Sequence, residues 1–186
     1  ISGEVFKPVS SFSLMDFGTG KAIARRVAQE LRKGWAVNLG FGWDRTENAL
    51  WRGIAQARAG GRLSDIGHAV EAHVRACGDY GVVEEYVGHG IGTSMHMDPS
   101  VPNYGQPGHG PKLVAGMALA IEPMVNLGSR HTRTLEDDWT VVTLDGRWSA
   151  HFEHTVAITP DGPWVLTAHD GGAERLRALG RPAPAV

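Results

Sequence analysis

Three short stretches place groups able to do metal chemistry inside apolar, strand-like text. They are His89 in Gly88-His89-Gly90-Ile91-Gly92, Glu122 in Ile121-Glu122-Pro123, and Glu153 in Phe152-Glu153-His154-Thr155. Carboxylates are almost never buried unless they are paired or bound to a cation. One imidazole nitrogen with two carboxylate oxygens suits Mn, Fe, Co or Zn. His96 follows His89 within Met95-His96-Met97-Asp98-Pro99. Each residue alone has a plain explanation: a core Glu can pair with Arg, and a Gly-flanked His can serve a turn. The set of four together points to a divalent metal site, and a metal site points to chemistry.

The elements that position these residues follow from periodicity. Ile23, Val27 and Leu31 recur at helical spacing from Lys21, with Gly34 as a stop. Residues 35–43, rich in Gly and Trp, are expected to form a strand entering a turn. Thr46 is the expected N-cap of a helix carrying Leu50, Ile54 and Ala57. Ser64 is the expected cap of another, with an inner stripe of Ile66, Ala69, Val70, Val74 and Cys77 and a stop at Gly78. His68 and His73 on that helix receive no role.

Beyond Gly81 the text changes to short apolar runs: Val82-Val83, Tyr86-Val87, Leu119 to Ile121, Thr140 to Val142, and Phe152 to Ile158. Asp145-Gly146 and Asp161-Gly162-Pro163 read as hairpin turns. Helices followed by strands predict an α+β fold with helices on one face of a mainly antiparallel sheet. Within Phe152–Ile158, alternation puts Glu153, Thr155 and Ala157 on one face. Both faces of that strand are nearly apolar, so Glu153 should point inward, where desolvation raises a carboxyl pKa unless a cation offsets it. Pro123 ends the strand before it by removing a ladder donor. The tail from Ala168 to Val186 is expected to be a loosely attached extension with a short helix from Ala173 to Leu179.

Composition bounds the function. The 186 residues suffice for one domain, with 42% hydrophobic and 20% charged residues. A formal charge of -2 leaves no electrostatic footprint for nucleic acid. Cys77 is the single cysteine, which excludes an intrachain disulfide and suits a reducing cytoplasm. No apolar stretch approaches the roughly 20 residues of a spanning helix, and Glu4, Lys7 and Asp16 interrupt any leader-like run. A chain opening on Ile1 is expected to be processed or a fragment.

From about Thr46 to Thr167 the sequence resembles the carboxyl-terminal half of type I methionine aminopeptidases. The motifs are Gly88 to Gly92, His96-Met97-Asp98-Pro99 with Val101-Pro102-Asn103-Tyr104, Gly116-Met117 through Ile121-Glu122-Pro123-Met124, Asp138 to Thr143, and Ser149-Ala150-His151-Phe152-Glu153-His154-Thr155-Val156. The resemblance implies the pita-bread fold, a curved antiparallel sheet with helices on one face. It implies that His89, Glu122 and Glu153 are metal ligands of a dinuclear centre, with Glu153 bridging. It also implies that His96 contacts the scissile peptide and that Met95 and Trp139 line the pocket for the substrate's methionine. A carboxylate beside a metal-activated hydroxide, here Glu122, can shuttle its proton to the leaving amine. The implied activity is removal of the amino-terminal methionine from nascent polypeptides by metal-activated hydroxide attack, in a cytoplasmic monomer using Co, Mn, Fe or Zn. Two metals about 3.5–4 Å apart generate such a nucleophile at neutral pH.

The family's site also takes two Asp ligands and a His-Gly-Ile-Pro histidine from its preceding half. Here Asp16 and Asp44 are the only Asp residues before position 60, and Val27 stands eleven residues after Asp16. The expected organisation is therefore a truncated or divergent segment over residues 1–45, the carboxyl-terminal catalytic half over 46–167, and an extension over 168–186. At most one firmly held metal is expected. The alternative is a catalytically silent pita-bread binding module.

Overall fold

The computed structural model describes residues 36–182, with side chains from residue 44 onward. The expected helix from Lys21 lies outside the described residues. Helix α1 spans Ala36–Ile54, so residues 36–43 are helical rather than a strand. An interior Gly costs a helix only about 1 kcal/mol, and the packed face downstream outweighs it. That face is Ala49, Leu50, Trp51 and Ile54, all buried. Thr46 therefore sits inside the helix, fully buried, and does not cap it.

Helix α2 spans Leu63–Cys77 and begins at Arg62, not at Ser64. The Arg62 N–H donates to Asp65 Oδ2 at 2.8 Å, because a carboxylate in the first turn is a stronger acceptor there than a hydroxyl. Ser64 Oγ is used elsewhere, accepting the His109 N–H at 2.8 Å. Gly78 ends the helix at φ 145°, as its position predicts. The two helices cross closely at Gly53, where an added Cβ would meet Val70 Cγ2 at 2.7 Å.

Ten strands follow among the described residues: β1 Gly81–Val82, β2 Gly88–Ile91, β3 Met97–Val101, β4 Ala118–Ile121, β5 Met124–Asn126, β6 Thr132–Thr134, β7 Val141–Thr143, β8 Ser149–His151, β9 His154–Thr159 and β10 Gly162–Val165. They form a five-stranded sheet in the order β10-β9-β4-β2-β3, a three-stranded sheet β1-β5-β8, and the ribbon β6-β7. Every pairing is antiparallel. Tyr86-Val87 precedes β2 rather than forming a strand. Asp161 lies in the β9–β10 hairpin loop, as expected. Asp145-Gly146 instead links β7 to β8, which belong to different sheets, so it closes no hairpin.

The expected strand Phe152–Ile158 begins only at His154, and Phe152 and Glu153 lie in a break after β8. β8 ends at His151 and pairs with β5, whereas β9 starts at His154 and pairs with β4. The partner strand divides at the same level, β4 ending at Ile121 and β5 starting at Met124. Two paired strands thus pass together from one sheet to the other.

Helices cover one face of this arrangement, α1 against β4, β5 and β8, and α2 against β3. Leu119 and Val156 are cross-strand partners whose side chains join Leu50, Ile54 and Ile66 in the core. Helix α3, Ala173–Ala178, is not a loose appendage. Leu176 is fully buried in the same core, Arg175 bonds to Glu47 Oε1 at 3.2 Å, and its guanidinium lies 5.7 Å from the centroid of the Trp51 ring. An apolar residue on a short amphipathic turn is stable only against such a surface.

Candidate metal centre

The register of β2, β4 and β9 sets the site. His89 pairs with Ala120, and Ala120 with Thr155. Leu119 and Val156 face the helices, so Ala120, Thr155 and His89 occupy the opposite face. Two residues along each strand on that face stand Glu122 and Glu153. Both lie in the break between the sheets, opposite one another between the pairs Ile121–His154 and Met124–His151. Pro123 has no N–H to give to a ladder, and its carbonyl accepts the Phe152 N–H at 3.3 Å across the break.

The glycines beside His89 admit close backbone neighbours. Gly88 and Gly90 lie in strand β2, whose register against β3 shifts between them. A Cβ on Gly88 would overlap the Ala120 carbonyl oxygen, and one on Gly90 would overlap that of Asp98. The neighbouring backbones are simply too close for side chains there. The Nδ1 of His89 donates to the Gly90 carbonyl at 2.9 Å, which leaves the Nε2 lone pair free. That Nε2 stands 3.6 Å from Glu122 Oε1.

The motif around Asn103 steadies Glu122 from behind. The buried Asn103 donates from Nδ2 to the Glu122 carbonyl at 3.4 Å. Its loop is strapped to α2 by Glu71, which accepts the Gly105 N–H at 3.0 Å, and by Asp65, which accepts the Gly108 N–H at 2.8 Å. Gly67 permits this approach, since a Cβ there would meet Tyr104 O at 2.7 Å.

Burial pushes the carboxyl pKa of Glu153 up, the neighbouring charge of Glu122 adds to the rise, and His151, His89 and His96 partly oppose it. Behind it, His154 turns toward the helices, its ring 4.9 Å from that of Trp51. Thr167 Oγ1 accepts the Thr155 N–H at 3.1 Å and shares a hydrogen bond of 2.7 Å with His154 Nδ1. Burial first, and the charge of Arg175 second, push the pKa of His154 down.

A further residue belongs to the site. His151 Nε2 is 3.6 Å from Glu122 Oε2, and donor atoms of Glu122, His151 and Glu153 all lie within 4.8 Å of one another. The sequence reading passed over His151, although it stands two residues before Glu153 and shares its face by the same alternation. His96 is exposed, its ring centroid 4.3 Å from that of His89. Met95 and Trp139 are 71% and 81% exposed, on the β2–β3 connection and the β6–β7 turn.

The donor set fits a divalent cation. Nitrogen–oxygen gaps of 3.6 Å are too long for good hydrogen bonds. Two ligands each about 2.1 Å from one cation at a tetrahedral angle stand roughly 3.4 Å apart. The buried Nε2 of His151 makes no hydrogen bond, which a cation would remedy.

The sequence pattern of metallopeptidase family M24 matches residues 42–160. The chain belongs to that family. Its similarity to the methionine aminopeptidase of Clostridium perfringens is 57% identity over 122 residues, covering 66% of this chain and 49% of the relative. With methionine aminopeptidase 1 of Bacillus subtilis it shares 55% identity over 122 residues, covering 66% and 49%. The crystal structure of the Thermotoga maritima methionine aminopeptidase superposes with TM-score 0.65 at 44% identity, over 68% of this chain and 50% of that one. The chain thus spans about half the length of the curated relatives it matches. The fold is the pita-bread fold of these M24 enzymes, and M24 membership brings a divalent metal as cofactor. No helix among the described residues is long and apolar enough to cross a membrane.

Proposed function

We propose that this chain is the metal-holding half of a methionine aminopeptidase, which removes the amino-terminal methionine from nascent polypeptides in the cytoplasm as a monomer. In this reading residues 46–167 are the carboxyl-terminal half of the catalytic domain, preceded by a divergent segment over 1–45 and followed by an extension over 168–186. The observation that carries it is the convergence of His89 and Glu122 to 3.6 Å, with Glu153 facing Glu122 across the same break.

His89, Glu122 and Glu153 would hold one divalent cation, from among Co, Mn, Fe and Zn. When bound, the cation supplies Lewis-acid polarisation of the scissile carbonyl and lowers the pKa of water. Glu122 takes a proton on a carboxylate oxygen and delivers it to the leaving amine. His96, exposed beside His89, donates a hydrogen bond to the developing oxyanion. Met95 and Trp139 are large apolar surfaces open to solvent, suited to contact a thioether side chain.

The test loads the purified protein with Co(II), Mn(II) or Fe(II), measures bound metal, and follows methionine release from a Met-Ala-Ser peptide. The expected result is metal-dependent release that a chelator stops. A folded protein that releases no methionine with any of these metals would be the silent binding module instead.

A further inference from the structure

Glu122 is bracketed by two imidazoles. His89 Nε2 faces one of its oxygens and His151 Nε2 faces the other, each at 3.6 Å. The two histidines come from different sheets, His89 from β2 and His151 from the last position of β8. They meet at Glu122 only because the chain crosses between the sheets there. His151 has the stronger geometric link to Glu153, since its donor atom lies within 4.8 Å of those of both carboxylates.

We infer that His151 is a nitrogen ligand, through Nε2, of a divalent cation held with Glu122 and Glu153. Three observations support this. The Nε2 atom is buried and has no hydrogen-bond partner, an arrangement that is costly for a polar atom in a folded protein. Its distance to Glu122 suits a shared cation better than a hydrogen bond. The donor set of one imidazole and two carboxylates is complete on two adjoining segments, residues 122 and 151–153, which the backbone bond from Phe152 N–H to Pro123 O ties together. A cation could thus be held here by residues within the matched half of the fold. Backbone pairing fixes His151 as well: Met124 is its partner on β5. A ligand on a paired strand is held more rigidly than one on a loop.

The inference rests on the reading of this site as a metal centre, and the test separates the two. Zinc is titrated into the full chain carrying 15N-labelled histidine, and ring-nitrogen shifts are followed by NMR. The expected result is that His151 Nε2 moves to the position of a metal-ligated nitrogen at one equivalent of zinc. If the His89 ring responds while His151 stays unchanged, the metal centre stands and the role of His151 falls. If zinc moves neither ring, both readings fall. As a second measurement, His151→Gln should weaken Co(II) binding by tenfold or more, since even outer partners of metal ligands are worth about 10–100-fold. A folded His151→Gln protein, by circular dichroism, with unchanged Co(II) affinity overturns the inference.

Discussion

His89 Nε2 and Glu122 Oε1 stand 3.6 Å apart, although 33 positions of numbering, from 89 to 122, separate them. Adjacent strands set that distance: His89 pairs with Ala120, and Glu122 lies two residues further along β4's path. Its accuracy therefore depends on the ladder beneath it, and perturbing either end of the relationship has a defined outcome.

Removing His89 removes a proposed nitrogen ligand. His89→Ala should lower Co(II) affinity by about tenfold or more, by comparison with the 10–100-fold effect of outer partners. Isothermal titration of the two proteins reads the difference. Equal affinities would exclude His89 from the centre.

Metal should also stabilise the fold by mass action. At a free metal concentration 100 times the dissociation constant the gain is about 2.7 kcal/mol. Thermal unfolding with and without Co(II) should show a higher midpoint with metal, reversed by chelator. A Glu153→Gln protein should lose most of that gain.

His96 touches His89 but is proposed to act on substrate. His96→Ala should therefore reduce kcat by roughly 10²–10³, the scale of one lost oxyanion donor. Metal affinity should stay within a few-fold of the parent protein. A parallel loss of metal would make it a ligand instead.

Gly90 has no room for a methyl group, because the Asp98 carbonyl oxygen occupies the position of its Cβ. Gly90→Ala should destabilise the fold by about 1–3 kcal/mol as β2 and β3 move apart. Because His89 sits on β2, metal affinity should fall as well. Urea unfolding and metal titration of the same variant test both effects.

Acid should loosen the start of α2. Asp65 accepts the Arg62 N–H and, on its other oxygen, the Gly108 N–H, and the first of these is the main cause of its lowered pKa. A carboxylate with a depressed folded pKa contributes fully above its unfolded value, near 3.8, and loses that contribution as pH falls through the folded value. Asp65→Ala should cost about 0.5–2 kcal/mol at neutral pH, the range for a lost helix cap. It should also flatten the fall in stability below pH 4. An unchanged acid limb in chemical denaturation would refute the assignment.

Much of the site was legible because its residues break local rules. Glu122 follows an apolar run, Glu153 interrupts another, and glycines that a strand would otherwise avoid flank His89. Thr46 misled for the opposite reason: a good cap residue is also tolerated inside a helix whose preceding residues continue it. His151 carries no such signal, because it lies just outside the apolar run Phe152–Ile158. The break at Phe152 and Glu153 could not be read either, since it depends on pairing with a partner strand some thirty residues earlier that breaks at the same level.

The sequence by itself determined the candidate ligand types, the helical and extended stretches over most of the described chain, and the family to which those motifs belong. Tertiary structure decided which side chains meet. A strand's alternation states only that Glu153 and His151 share a face, and not what that face looks upon. The register of β4 with β9 is fixed by burying Leu119 against Val156 on the helical side, and a slip of one residue would turn every side chain to the other face. That long-range packing, rather than any local signal, brings Glu122 opposite Glu153 and sets an imidazole beside each of its oxygens. It also docks Leu176 of α3 into the core, where the sequence alone suggested a loose tail.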